Sequence, residues 1–299
     1  MTAATIRTRR PQKGKRLMER SYQFTLTVAV LLALTAFALA ETKKEYRFNV
    51  GAKATVSIIN QYGAVTVRPS TGNYVLVNAT TYSDKVEVDQ VQSGNRIDVQ
   101  SHLFDGATPE NSRVDYEVQV PADASVTLRS TTGPLRAEKL HGDVEMEGST
   151  ATVDVRDISD SHVHVKTMNG PVTLTNIRDG HVEIDSVSGD VTMLSVSGPL
   201  VRVSSTSGKI RYDGDFGYAG EYRFNSHSGD IDATIPADAS VDVKAQSVKG
   251  NVQDDVPMQP KTHTSFLARE GSSFAGTINK AASSVWLRTF SGRIHLKKR

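Results

Sequence analysis

Two consecutive stretches, HVHVKTMNGPVTLTNIRDG (162–180) and HVEIDSVSGDVTMLSVSGP (181–199), set His162, His164, His181 and Glu183 at matching points of a 19-residue step. If the stretches stack as neighbouring strands, His162 lies over His181 and His164 over Glu183, with Arg202 next in the second column. Stacked strands are about 4.8 Å apart, and residues two apart on a strand are nearly 7 Å apart by the strand rise. The four side chains then share one small outer patch. Three imidazoles and a carboxylate suit zinc or a similar ion. The other outcome is a solvated polar face in which Glu183 and Arg202 pair across strands, worth a few tenths of a kcal/mol. These four residues are metal candidates on ligand type alone, and no cofactor is otherwise implied.

Other chemistry finds less support. With no Cys there is no disulfide scaffold, thiolate metal site, cysteine nucleophile or lipidated cysteine. No Gly-x-Ser-x-Gly elbow and no His-Glu-x-x-His occurs. Gly271 to Gly276 is a small-residue turn. Asp190 and Asp230 follow turn glycines, but the spaced acids of a calcium loop are missing. A polysaccharide-cleaving solenoid needs clustered carboxylates in a groove, and here the acids are dispersed and aromatics are 6 % of the chain. Trp286, between inward Val285 and Leu287, points outward, either toward a partner or beneath the irregular segment 254–275.

These residues sit on a repeat. Turn glycines recur at Gly133, Gly170, Gly189, Gly208, Gly229, Gly250, Gly271 and Gly292, with steps of 37, 19, 19, 21, 21, 21 and 21. The first step is close to two periods, with the glycine missing near Ala151-Thr152. Apolar residues recur seven before and two after the glycines, Gly271 fitting least well. Period-two alternation makes each segment a strand with one inward face. Glycine after Ser, Asn or Thr suits a turn with positive φ. Alone, about four aliphatic side chains cannot offset the entropy of ordering some twenty residues. Stacked neighbours are therefore required.

The expectation is all-β, a right-handed parallel β-solenoid with coils of 19–21 residues over 124–299. Residues 41–123 form a less regular β-rich N-terminal cap that keeps the motif once, at Val56 to Val67 with Gly63. Within it, Lys85 to Val99 reads as two strands joined at Ser93-Gly94-Asn95. The structural turn glycines expected are Gly63, Gly133, Gly170, Gly189, Gly208, Gly229, Gly250 and Gly292.

The front end differs. The first twenty residues hold seven bases and one acid, and residues 21–40 carry no charge. The apolar run Phe24 to Ala40 closes on Ala38-Leu39-Ala40, a secretory signal with cleavage after Ala40. An uncleaved anchor is the alternative. From Glu41 onward 28 bases face 32 acids, which gives no reason to expect nucleic acid. Export across the inner membrane follows, to the periplasm, the cell surface or the medium.

Three segments, YRFNVGAKATVSIINQYGAVTVRPS, VDYEVQVPADASVTLRSTTGPLRAEKLHGDV and SVWLRTFSGRIHLKK, resemble the bacterial DUF4097 family of exported, adhesin-like proteins with β-strand repeats. The resemblance spans nearly all of 46–297. It implies a β-solenoid-like exported protein without an established activity, and fold alone does not transfer function. The expected function is a non-catalytic scaffold whose strand faces bind a protein or glycan partner at the cell envelope. A carbohydrate-active enzyme on the same scaffold and an envelope-associated regulatory or assembly factor are the alternatives.

Overall fold

The structure is a computed structural model that describes residues 41–217, 219–261 and 272–299. The expected signal segment and Gly271 lie outside the described residues. All regular structure among the described residues is β.

The N-terminal third contributes β1 (Thr42–Asn49), β2 (Thr55–Tyr62), β3 (Val65–Pro69), β4 (Tyr74–Thr81), β5 (Val86–Ser93), β6 (Arg96–Leu103) and β7 (Val114–Val120). Coils of two strands follow: β8 (Ser125–Thr132) with β9 (Leu135–Glu138), β10 (Val144–Gly148) with β11 (Val153–Ser159), and β12 (His162–Thr167) with β13 (Val172–Arg178). Next come β14 (His181–Ser186) with β15 (Val191–Val196), β16 (Leu200–Ser205) with β17 (Ile210–Asp213), and β18 (Glu221–Ser226) with β19 (Ile231–Ile235). The chain ends with β20 (Val241–Ser247), β21 (Val252–Asp254), β22 (Gln259–Pro260), β23 (Ser273–Ile278), β24 (Ser283–Thr289) and β25 (Ile294–Lys298).

Each coil gives one strand to each of two sheets. The first sheet runs β1-β4-β7-β3-β9-β11-β13-β15-β17-β19-β25-β21, the second β22-β23-β20-β24-β18-β16-β14-β12-β10-β8-β2-β6-β5. From β8 to β19 all pairings are parallel and in chain order, as the constant period requires. Val144, Val163, Val182 and Val201 stand in one register column of the second sheet. Val153, Val172 and Val191 do the same in the first. All are buried, and each fully buried aliphatic side chain contributes about 1.5–3 kcal/mol. The longer period after Gly208 accommodates the segment Asp213 to Gly220. Beside it, Tyr212, Phe216, Tyr222 and Phe224 form a tilted aromatic cluster. Tyr212 and Tyr222 donate to the carbonyls of Val196 (2.7 Å) and Gly198 (3.0 Å). Burial pushes the Tyr212 hydroxyl well above the ordinary tyrosine range.

Stacking in chain order stops at both ends. The last coil, β24 with β25, is inserted between the β18/β19 and β20/β21 coils: Val285 pairs with Tyr222 on one side and Val243 on the other. The first coil, β2 with β3, is likewise inserted between β6/β7 and β8/β9, with Val56 beside Ile97 and Val126. The solenoid read from the repeat is present, but its terminal coils are not stacked in chain order. A terminal coil left outermost would fray, whereas insertion gives it two bonded neighbours. The outermost coils are finished by antiparallel strands. β5 pairs with β6, and β4 with β7 and β1. At the other end β23 pairs with β20 and β22. These strands cover solenoid edges that would otherwise expose unpaired backbone. The β5–β6 hairpin turns at Gly94 with φ 60°.

Each inserted coil is tied to a neighbouring layer by a carboxylate. Asp115 on β7 accepts from the Ala64 amide in the β2–β3 turn (2.8 Å), from Tyr82 (2.8 Å) and from Arg113 (3.0 and 2.6 Å). Asp232 on β19 lies between Lys209 (2.9 Å) and Lys297 on β25 (3.0 Å). Burial opposes ionisation of both carboxylates. Those partners outweigh it and hold both below the usual carboxylate range.

Candidate functional site

The turn between the two strands of a coil repeats as a stack. Gly63, Gly133, Gly170, Gly189, Gly208, Gly229, Gly292 and Gly250 follow one another along it, with Ala151 between Gly133 and Gly170. Only Gly63 (φ 111°) and Gly133 (φ 101°) of these eight adopt the expected left-handed backbone. The other six are glycine because of close approach. A Cβ on Gly189 would collide with the carbonyl oxygen of Gly170, and one on Gly208 with that of Gly189.

A second column went unread in the sequence although its signal is plain: a Ser, Thr or Asn stands three residues before each of the eight glycines. These side chains are buried or nearly so and close the turn. Thr167 Oγ1 donates to the Gly170 carbonyl and accepts from the Gly170 amide, both at 3.0 Å. Ser186 and Ser205 donate to the Gly189 and Gly208 carbonyls at 2.7 and 3.0 Å. The coil that lacks its glycine lacks its hydroxyl too: Gly148 stands at that position, and a Cβ there would meet the Ala151 methyl. The two departures compensate each other.

Beside this edge runs a furrow of about 640 Å³ lined by six strands, β2, β8, β10, β12, β14 and β16, and by the turns that follow four of them. The buried Ser and Thr column is its floor. One wall is the register column Arg129, Glu147, Lys166, Asp185, in which charge alternates. Arg129 pairs with Glu147 at 3.2 Å. The other wall carries half-exposed Met168 and Val187. A further stretch of about 570 Å³ continues past Ser205 to His227, Arg288, Phe290 and Val248. Glu147 and Asp185 are the carboxylates of the furrow, with side chains 53 % and 61 % exposed. Both face solvent rather than an apolar wall, and Glu147 is paired with Arg129.

The candidate metal patch has the expected register: His162 pairs with His181 and His164 with Glu183. Its side chains do other things. The His162 and His181 rings stack at 4.7 Å and 17°. Glu183 accepts from Arg202 at 3.3 Å, and His164 stands 3.9 Å from Asp185. Among the described residues no group of three His, Asp or Glu side chains is placed to hold a metal ion. In this arrangement the two imidazoles stack and Glu183 pairs with Arg202 across strands.

Trp286 is 48 % exposed. Of the segment 254–275, residues 262–271 lie outside the described residues, and β23 continues the sheet beyond β20. Arg223 and Lys244 flank Trp286 in its column, and the Lys244 ammonium stands 4.6 Å from its ring centre.

This is an exposed, repetitive, all-β solenoid whose outward side chains form straight columns and whose turn edge carries a long furrow. The chain belongs to the Toastrack DUF4097 family, whose model matches residues 55–297. Among solved structures it is similar to a candidate cell adhesion protein from Clostridium sporogenes, at 11 % identity, covering 87 % of this chain and 100 % of that one, with a TM-score of 0.28. It is also similar to candidate adhesins from Bacteroides fragilis and Parabacteroides merdae. The first shows 12 % identity, coverage of 85 % and 97 %, and a TM-score of 0.34. The second shows 10 % identity, coverage of 86 % and 96 %, and the same score. No curated protein matches the chain.

Proposed function

We propose that the chain is an exported, non-catalytic scaffold that presents the strand faces and turn edge of its solenoid to a partner at the cell envelope, in adhesion. The observation that carries this reading is the furrow. It crosses consecutive coils without interruption, and its floor is held at Thr167, Ser186 and Ser205 by the hydrogen bonds that close those turns. Such a surface is ordered before a partner arrives, so little conformational entropy is lost on contact. The basic stretch and apolar run of residues 1–40 support export. The exposed carboxylates of the furrow favour binding over glycoside cleavage.

The test is retention of envelope extract and of arrayed glycans on the purified protein. The reading expects reproducible retention, no released product, and several-fold weaker retention by the double variant M168E/V187E, which places charge on the apolar wall. Turnover of any glycan contradicts it, as does retention that the double variant leaves unchanged.

A further inference from the structure

The inserted strand β24 carries a combination found nowhere else on the described surface. Trp286 and Arg288 face outward from it, and Phe290 follows in the turn, 37 % exposed. Insertion brings these residues against both neighbours. Trp286 stands between Arg223 and Lys244, and Arg288 between Asn225 and Gln246. Phe290 lies face to face with His227, ring centres 5.1 Å apart and planes 5° apart, and the Lys249 ammonium is 4.8 Å from its ring centre. Among the described residues neither Arg288 nor Lys244 has a carboxylate partner, whereas Arg223 is paired with Glu221. Four residues along a strand span roughly 13 Å by the strand rise. The exposed Trp286 is thus separated from the stacked Phe290 by an unneutralised guanidinium, Arg288 and Phe290 lying at the end of the furrow.

The chemistry of the patch selects its ligand. β24 is hydrogen-bonded on both sides, so it offers no free sheet edge for an added peptide strand. The patch is open, and it lacks the enclosed pocket that seats a protein anchor residue. What it offers is the exposed surface of Trp286 for packing and, in Arg288 and Lys244, cations without a carboxylate partner. A pyranose ring presents a flank of C–H bonds that packs on indole or phenyl. A carboxylate on that ring accepts two N–H bonds from the arginine fork. We propose that this patch binds an acidic polysaccharide, the exposed Trp286 packing against its sugar rings and Arg288 and Lys244 pairing with its carboxylates. This rests on the scaffold reading above and names the partner's chemical class.

The experiment measures binding of the purified protein to polygalacturonate, with dextran, poly-glutamate and a single-stranded oligonucleotide as competitors. Saturable binding to polygalacturonate that weakens with added salt is expected. W286A should lose about tenfold in affinity and R288A severalfold. R211A, on the other sheet, should bind as the parent does. Both patch residues are exposed, so circular dichroism should be unchanged. No binding to polygalacturonate overturns the proposal. So do equal binding by W286A, equal competition by dextran, and tighter binding of poly-glutamate or the oligonucleotide. Envelope extract separates the two levels. If it is retained equally by parent and W286A while polygalacturonate is not bound, the acidic-glycan proposal falls and the scaffold stands. If neither is retained, both fall.

Discussion

The run from β8 to β19 and the two ends of the solenoid use the same repeat and assemble differently. In the run, each coil lies on the one before it in the chain, so neighbours are 18–21 residues apart in sequence. At the C-terminal end, Tyr222 is covered by Val285, 63 residues on, and the winding that follows it in sequence is displaced one layer outward. The run shows that a uniform period is sufficient for stacking. The ends show that it does not determine which coil stacks on which.

The largest effect should come from removing whole coils. Deleting residues 181–199 joins β12 to β16 in an unchanged register, because His162, His181 and Leu200 share one column. That protein should still unfold in a single thermal transition at a lower temperature. Deleting 283–299 removes the layer between two others and exposes the inner faces of both. It should cost on the order of 5 kcal/mol or more and replace the cooperative transition by a broad one.

Second in size is the glycine stack. G189A should cost about 2–3 kcal/mol in urea unfolding, since its methyl meets a neighbouring carbonyl. G94A, in the end hairpin, has open space around it and only a left-handed backbone to strain. It should cost about 1 kcal/mol.

Third are the carboxylates at the junctions. The folded-state pKa values of Asp115 and Asp232 are depressed. Their stabilisation is therefore full above the unfolded carboxylate value of about 3.9 and is lost as pH falls through the lower folded values. D232N should cost about 1–2 kcal/mol at pH 6. The gap from the parent should narrow in urea titrations below about pH 3. Both lysines are partly exposed, so added salt should also narrow it.

The smallest effect sharpens the comparison inside the run. G148S alone should clash with the Ala151 methyl. Combined with A151G it recreates the hydroxyl–glycine turn of the other coils, and the pair should show a coupling of about 1 kcal/mol in a double-mutant cycle.

Much of the fold could be read from the sequence, because a strict alternation of Val and Ile has few ways to be buried. The His162–His181 and Glu183–Arg202 neighbours followed from the 19-residue step. What those neighbours do did not follow: whether imidazoles chelate or stack depends on side-chain rotamers, which spacing does not encode. The Ser, Thr or Asn three residues before each glycine was visible in the sequence but went unread, because only the residue directly before the glycine was taken as turn-forming. The aromatic patch could not be foreseen. Trp286 meets Arg223, and Phe290 meets His227, only through the inserted coil, and every coil offers chemically equivalent apolar columns to its neighbours.

The most direct test of this stacking order uses the absence of native cysteines. Asn225 on β18 lies beside Arg288 of the inserted coil, which separates it from Gln246, the partner that stacking in chain order would supply. Adjacent strands about 4.8 Å apart permit a disulfide, whereas two layers, about 9.6 Å, do not. N225C/R288C should oxidise quantitatively to an intramolecular disulfide, and N225C/Q246C should keep two free thiols. Ready closure of the 225–246 pair, with 225–288 left open, would contradict the interleaved architecture.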